Sequence, residues 1–351
     1  MVRRDARAAA VHIGVLTSGG DCPGLNAVIR SVVHRAVTGY GDSVVGILDG
    51  YRGLLEGEAR PLGLADVHGI LARGGTILGS ARVEPARVRE GVGCSAELAS
   101  ALGIDALIAI GGDGTLTAAE LFSQAGLPVV GVPKTIDNDV EATDATFGHD
   151  TAVLVGTEAV DRLKTTAESH QRVMVVELMG RHTGWIALHA GMAGGAHGIV
   201  IPERPFDIEE VCRLIEARFA RGKKFTVLAV AEGATPAPGT MEFHHGGVDV
   251  YGHQRFGGIG HRLAAEIEHW LGKEARPVVL GHVQRGGTPT ALDRVLATRF
   301  GWNAVEAAHA GVFGHFTALR RTRIELAPLA EIVGRLRTVP PDQLAEARVV
   351  L

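Results

Sequence analysis

The chain is poor in cysteine, in aromatic residues and in concentrated charge, and each shortage removes a class of protein. Its three cysteines, Cys22, Cys94 and Cys212, are odd in number and widely spaced among 351 residues. Neither a disulfide framework nor a zinc site fits that spacing, and reduced thiols in a cytosol are expected. No apolar run approaches the roughly 18 residues a membrane-spanning helix needs, so no membrane partner is expected. The formal net charge is -4 and no long Lys/Arg run occurs, which argues against a nucleic-acid partner. The basic start (Arg3, Arg4, Arg7) is followed by a short apolar segment running straight into Val15-Leu16-Thr17-Ser18-Gly19-Gly20. That reads as a first strand and its loop, not as a cleavage site. The loop matches neither the dinucleotide fingerprint Gly-x-Gly-x-x-Gly nor a P-loop, because no Gly-Lys-Ser/Thr follows. An NAD(H)-binding oxidoreductase is therefore disfavoured.

What is present is ordinary globular composition, 46% hydrophobic and 21% charged, at a length that suits two domains. Glycine is abundant, at 48 residues, and it clusters at strand ends, where it marks tight loops. Short apolar runs at 11–16, 44–48, 104–110 and 128–132 alternate with helical patterns, as at Leu25, Val28, Ile29, Val32, Val33 and Val37 and at 115–124. This alternation marks a parallel sheet with helices on both faces. A long helix is expected over 150–166, with Val153, Val155, Val160 and Leu163 inward. Further strands are expected at 172–178, 199–201, 225–230 and 278–280, with helices at 208–220, 259–271 and 290–310. The expected fold is α/β: two similar three-layer domains with mostly parallel sheets. Their bounds are 1–148 and 149–283, with 284–334 returning to the first domain and 335–351 a C-terminal tail that includes a short charged helix. The segment 234–256 is rich in Gly, Pro and His and reads as a surface excursion, its His244-His245 pair facing solvent.

Two stretches carry the chemistry. Ile110-Gly111-Gly112-Asp113-Gly114-Thr115 and Pro133-Lys134-Thr135-Ile136-Asp137-Asn138-Asp139 each sit where a buried strand runs out into a loop. Ligands of open parallel sheets collect at such carboxyl ends. The combined residues suit phosphate and a divalent metal. Asp113, on a glycine-flanked turn, is a natural carboxylate for Mg2+, and Gly111, Gly112 and Gly114 let the backbone approach phosphates closely. Asp137 can accept the proton of an acceptor hydroxyl, with Thr135 bonding the transferred group. Two roles stay open for Asp139: tuning Asp137, or holding the metal through water. Arg82, after the small-residue loop 73–81, is a fork donor for phosphate oxygens. Arg172, Arg181, Arg276 and Arg285 flank expected strand ends, as does the loop His282-Val283-Gln284-Arg285-Gly286-Gly287, and Glu232 ends another strand. As a set these arginines suit a sugar phosphate.

With these motifs on the page, the chain resembles the 6-phosphofructokinases from about Val11 to Val333. The resemblance rests on Leu16-Thr17-Ser18-Gly19-Gly20-Asp21, Gly74-Gly75-Thr76-Ile77-Leu78-Gly79-Ser80-Ala81-Arg82, the two stretches above, Met179-Gly180-Arg181 and Leu280-Gly281-His282-Val283-Gln284-Arg285-Gly286-Gly287. Gly-Gly-Asp-Gly-Thr alone is shared with NAD kinases and lipid kinases. The Thr-Ile-Asp-Asn-Asp and His-x-Gln-Arg-Gly-Gly segments together are specific.

The resemblance implies an active site in the cleft between the domains. Gly19, Arg82, Val83 and Gly112 to Thr115 would bind ATP, and Asp113 the Mg2+. Asp137 would take the proton of the fructose 6-phosphate 1-hydroxyl, helped by Thr135 and Asp139, and Arg181 would stabilise the transferring phosphoryl group. Ile136, Met179, Gly180, Glu232, His282, Val283, Gln284 and Arg285 would complete the substrate pocket. Arg172 and Arg276 would reach the sugar phosphate across a subunit interface, which implies a homodimer or homotetramer sharing the site between subunits.

Gly114 and Lys134 point to different phosphoryl donors. ATP-using members have glycine at the position of Gly114, where an Asp would fill the volume of the ATP α-phosphate. Lys134 is similar to the pyrophosphate-using pattern, but a lysine does not exclude ATP. Gly114 decides, and the chain is expected to be an ATP-dependent member of the mixed-substrate branch. The alternatives are a pyrophosphate-dependent phosphotransferase and an inactive regulatory paralogue. Allosteric members bind effectors through the first helix and a turn corresponding to Arg221-Gly222-Lys223-Lys224. Arg30 and Lys223 suit this, whereas His34 replaces the usual Arg and the 234–256 loop is longer.

Overall fold

The computed structural model describes residues 10–81, 83–243, 246–247 and 257–350, excluding the side chains of 348–350. Of the residues singled out above, Arg3, Arg4, Arg7, Arg82, His244 and His245 lie outside the described residues. The chain divides into two compact units, Met1–Asp150 with Arg285–Leu336 and Thr151–Gln284 with Arg337–Leu351.

The first unit opens with β1 (His12–Thr17), α1 (Leu25–His34), β2 (Ser43–Ile47), α2 (Tyr51–Glu56) and β3 (Ala59–Leu62). It continues through α3 (Pro85–Val92), α4 (Ser95–Leu102), β4 (Ala106–Gly111), α5 (Asp113–Gln124) and β5 (Val129–Pro133). The second unit runs from α6 (His149–His170), which starts at the boundary, to β6 (Val173–Leu178), α7 (Trp185–Gly194) and β7 (Gly198–Val200). Next come α8 (Ile208–Ala220), β8 (Thr226–Ala231), α9 (Ile259–Leu271) and β9 (Ala275–Val279). A 3-10 turn, Gly281–Arg285, leads back to the first unit, which gains α10 (Ala291–His309), β10 (His315–Arg320) and β11 (Arg323–Pro328). Finally α11 (Pro341–Val350) joins the second unit.

The first sheet has the order β11-β10-β5-β4-β1-β2-β3. Its inner pairs are parallel, and only the outer pairs β10/β11 and β2/β3 are antiparallel. All of β4 is buried, as a strand covered on both faces requires. On one face α1 meets α10 so closely that a Cβ on Gly301 would stand 2.8 Å from the Val28 carbonyl oxygen. Ser31 Oγ donates to the Thr298 carbonyl across that contact at 2.6 Å. The other face carries an apolar cluster that joins Leu116 and Phe122 of α5 to Leu107, Val129, Phe316 and Leu329.

The second sheet, β7-β8-β6-β9, is wholly parallel. Ile215 of α8 and Leu263 and Ile267 of α9 pack with Val175 and Val230 on one face. On the other face lies α7, whose Gly191 is pressed against Ile199 and Ala229.

Both units are thus α/β with mostly parallel sheets, as expected. The returning segment is not purely helical, however, because it ends in the β10/β11 hairpin. Also outside the expectation are α2, β3, α3, α4 and α7. The α7 segment is buried nearly all round, so it carries no amphipathic stripe to read. Of the four inward candidates on α6, Val160 is fully buried and Val153, Val155 and Leu163 only partly. The short helix expected in the tail is α11, and its Ala347 is fully buried in the second unit. No helix among the described residues is long and apolar enough to cross a membrane.

Burial separates the thiols. It pushes Cys22 up to about 12 and Cys212 up to about 11, whereas Cys94 is exposed. Thiolate is the reacting form. Titration of the native protein with a chromogenic disulfide should therefore release about one equivalent per chain rapidly. Three rapid equivalents would contradict this packing.

Candidate active site

The pairing of β4 with β5 brings the two sequence stretches together. Gly111 stands opposite Pro133, and Lys134 N donates to the Gly111 carbonyl at 2.8 Å. Both strands are parallel, so both loops leave the same edge of the sheet. Gly112 caps α5, which places Asp113, Gly114 and Thr115 in the first turn with their N–H groups at the positive end of the helix. Beside them, β1 delivers Gly19 in a left-handed conformation at φ +79°. A Cβ on Gly19 would lie 3.4 Å from Thr115 Oγ1 and 3.7 Å from Lys134 Nζ. Ser80 Oγ donates to the Gly19 carbonyl at 2.5 Å, and Thr17 Oγ1 donates to the Gly79 carbonyl at 2.9 Å. The loops at 17–20, 74–80, 111–115 and 133–139 therefore form one surface of the first unit.

Along the Pro133–Asp139 stretch burial alternates. Lys134, Ile136 and Asn138 are buried, while Thr135, Asp137 and Asp139 are half-buried and share the opposite side. The buried set anchors the loop. Asn138, at φ +53°, accepts from Thr146 N at 3.0 Å, and His149 Nδ1 lies 2.7 Å from the Ile136 carbonyl. Thr135 Oγ1 accepts from Asp137 N at 3.0 Å, which sets the Asp137 backbone.

Burial raises the Asp113 carboxyl above the usual carboxylate range, and nearby Asp139 raises it further. Its Oδ1 is buried with no hydrogen-bond partner. An orphaned carboxylate oxygen beside a second acid fits a hard divalent cation such as Mg2+. Among the described residues no group of three or more His, Cys, Asp or Glu could hold a metal. The remaining coordination would have to come from phosphate oxygens and water.

Lys134 is the residue whose type resembles the pyrophosphate-using pattern. It is 3% exposed, and its Nζ donates to the Gly20 carbonyl. Burial is the main cause that lowers its pKa. The ammonium thus holds the Gly19-Gly20 loop from inside. Ile136 and Gln284 are likewise fully buried. The Gln284 amide oxygen accepts from Met179 N at 2.8 Å, so this side chain supports the Met179 loop and does not face a ligand. Val83 packs part-buried against the core of the first unit.

In the second unit, Met179, Gly180 and Arg181 leave the carboxyl end of β6, and Glu232 leaves that of β8. Arg181 Nε stands 3.9 Å from Glu232 Oε1. His282 and Val283 are exposed on the turn after β9. Arg172 and Arg276 lie at the other edge of this sheet. They flank and open β6 and β9, and both pair with Glu274, at 3.3 and 2.7 Å. Six strand residues separate Arg172 from Met179. At about 3.3 Å per residue this puts the two ends about 20 Å apart, so within one chain these arginines do not converge with Arg181. Arg285 falls in the first unit, where its guanidinium donates to the Asp21 carbonyl at 3.3 Å.

The sequence reading missed two buried supports. Asn26 on α1 donates to the Arg73 and Gly74 carbonyls, at 3.0 and 3.2 Å, and accepts from Ile77 N at 2.8 Å. Tyr51 donates to the Thr115 carbonyl at 2.8 Å. The available signal for Asn26 was a polar residue on the apolar side of a helix that follows a glycine loop.

A mostly parallel α/β frame with glycine loops and acidic turns at strand ends defines a phosphate-handling enzyme. A match to the Phosphofructokinase family spans residues 12–308, and the chain belongs to that family. It is 67% identical over 340 residues to "ATP-dependent 6-phosphofructokinase 2" of Streptomyces coelicolor, covering 97% of this chain and 100% of the relative. It is also 56% identical over 339 residues to "Pyrophosphate--fructose 6-phosphate 1-phosphotransferase" of Amycolatopsis methanolica, covering 97% and 99%. The phosphofructokinase structure from Pichia pastoris in the T-state superposes with a TM-score of 0.80 at 35% identity. It covers 94% of this chain, which spans only 38% of the yeast chain.

Two glycines in the same loop should respond differently to a methyl group. A Cβ on Gly111 would lie 2.2 Å from the Thr115 side chain, whereas one on Gly114 meets nothing within 4 Å. Gly111→Ala should cost about 1–3 kcal/mol in denaturant unfolding, and Gly114→Ala no more than about 0.5 kcal/mol. Equal costs would contradict this geometry.

Proposed function

We propose that the chain is an ATP-dependent 6-phosphofructokinase, which transfers the γ-phosphoryl group of ATP to the 1-hydroxyl of fructose 6-phosphate. The observation that carries the donor choice is the open space beside Gly114. Nothing stands within 4 Å of where its side chain would begin. An Asp there would add bulk and charge next to Asp113, while glycine leaves room for a nucleotide's α-phosphate. The bond of the Lys134 ammonium to the Gly20 carbonyl weakens the case this residue made for pyrophosphate. Relatives of similar length carry either donor name, so overall similarity alone does not choose the donor.

In this reading the N–H groups at the start of α5, with Gly19, cradle the donor phosphates, and Asp113 holds Mg2+. When bound, the ion neutralises phosphate charge and orients the donor. Asp137 accepts the proton from the sugar hydroxyl as the phosphoryl group moves. Asp139, through its negative charge, keeps the acidic surface in need of a cation. Arg181 stabilises the equatorial oxygens in transit, and Glu232 with His282 meets the sugar. The position of Arg172 and Arg276 at the opposite edge of their sheet supports a homo-oligomer in which each copy lends them to its neighbour's sugar phosphate.

The test is phosphorylation of fructose 6-phosphate with Mg2+, comparing ATP with pyrophosphate in the wild type and Gly114→Asp. The wild type should use ATP, and the substitution should reduce ATP turnover by about 100-fold, the scale of misplacing a bound reactant. Turnover with pyrophosphate alone would overturn the donor assignment. Turnover with neither donor would overturn the activity.

A further inference from the structure

The loop Met179–Gly184 carries Arg181, and main-chain hydrogen bonds pin it at both ends. At its start, Gln284 holds Met179 N, and Gly233 N donates to the Gly180 carbonyl at 3.0 Å. At its end, Gly184 N donates to both carboxylate oxygens of Glu203, each at 3.0 Å. Gly184 is pressed into place there, since a Cβ would lie 2.2 Å from Ile201 Cγ2. Glu203 has a further partner. Its Oε1 also accepts from Val339 N at 3.0 Å, on the segment leading to α11. A second contact ties the same segment down: Trp185 Nε1 donates to the Arg337 carbonyl at 2.8 Å, and the Arg337 guanidinium lies 4.3 Å over the Trp185 ring. All of these residues belong to the second unit.

A carboxylate in this place invites an ion pair, yet among the described residues Glu203 makes none. Its acceptors hold two main-chain N–H groups from segments 155 residues apart in sequence, Gly184 and Val339. From this bridge we infer that Glu203 is a positioning residue: it uses the C-terminal segment 337–339 as a strap to set the Arg181 loop for phosphoryl transfer. The inference rests on the proposed role of Arg181. Charge-assisted hydrogen bonds to backbone N–H are strong and directional, so their loss frees the loop end three residues from Arg181. A loop displaced by a fraction of an ångström weakens transition-state contacts more than ground-state ones, so the loss falls on kcat and not on the KM for ATP.

The experiment is a double-mutant cycle in the full chain, using Arg181→Ala, Glu203→Ala, the double variant and Glu203→Gln, with kcat and both KM values measured. Glu203→Ala should lower kcat about 10- to 100-fold with the KM for ATP within about threefold, a range typical of supports behind a reacting group. Glu203→Gln keeps an oxygen that can accept both N–H groups and should stay within about fivefold of wild type. In the Arg181→Ala background, Glu203→Ala should change kcat by less than about threefold, because the group it sets is gone. If Glu203→Ala fails to fold, Trp185→Phe frees the strap at its other contact and should lower kcat in the same direction, again masked by Arg181→Ala. An unchanged kcat in Glu203→Ala, or the same fold-loss in both backgrounds, overturns the positioning role. A normal kcat in Arg181→Ala alone overturns the role of Arg181 itself, so the two failures are distinguishable.

Discussion

The register of β4 against β5 governs this site. With Gly111 opposite Pro133, Asp113 and Asp137 leave neighbouring strand ends on the same edge. A slip of one residue would turn Asp137 inward and bring Lys134 or Ile136 to the surface, because side chains alternate along extended backbone. The apolar cores on both faces of the sheet forbid that slip. The hydrogen bond from Lys134 N to the Gly111 carbonyl closes the ladder where the two loops begin. The loop surface is then held from below by buried polar groups: Asn26, Tyr51, Lys134, Asn138 and His149. Each of them bonds main chain.

The electrostatics of the first unit follow from which way each charge faces. Asp113, Asp137 and Asp139 face outward at half burial, while the nearby ammonium of Lys134 turns inward to the Gly20 carbonyl. The surface therefore combines helix-end N–H groups that favour phosphate with carboxylates that repel it. In the proposed reaction a polyanionic donor and an acidic surface become compatible once a divalent cation lies between them, and the buried, unpartnered Asp113 Oδ1 is the atom that would meet it. In the proposed reaction one of these carboxylates serves as the general base for the acceptor hydroxyl.

Much of this was readable in the sequence, and the exceptions have physical causes. Strands covered on both faces are continuous apolar runs, so β1, β4, β5, β6 and β8 stood out. The glycine and acid clusters at their ends marked the site, and the motif resemblance supplied roles. Helix α7 was hidden because it is apolar on every side. The hairpin β10/β11 was hidden because its turn uses Arg321, a non-glycine residue at φ +57°, where Gly or Asn would have been the signal. Lys134 and Gln284 drew attention through the motif resemblance, which carries no packing information. Only tertiary packing reveals that Lys134 holds a glycine loop and Gln284 holds Met179. The separation of Arg172 and Arg276 from Arg181 follows from strand direction, since Arg172 precedes β6, Arg276 opens the parallel β9 and Arg181 follows β6.

The central claim is that Asp137 acts on the acceptor hydroxyl beside a donor held by the loops of β1 and β4. It is tested most directly by a single-turnover assay with γ-labelled ATP, Mg2+ and fructose 6-phosphate, comparing the wild type with Asp137→Asn. The account predicts that the variant binds both substrates with affinities near wild type, while transfer of label to the sugar slows by about 100-fold or more, the range expected for loss of a general base. Transfer within tenfold of wild type, or a loss explained by failure to bind ATP, would contradict it.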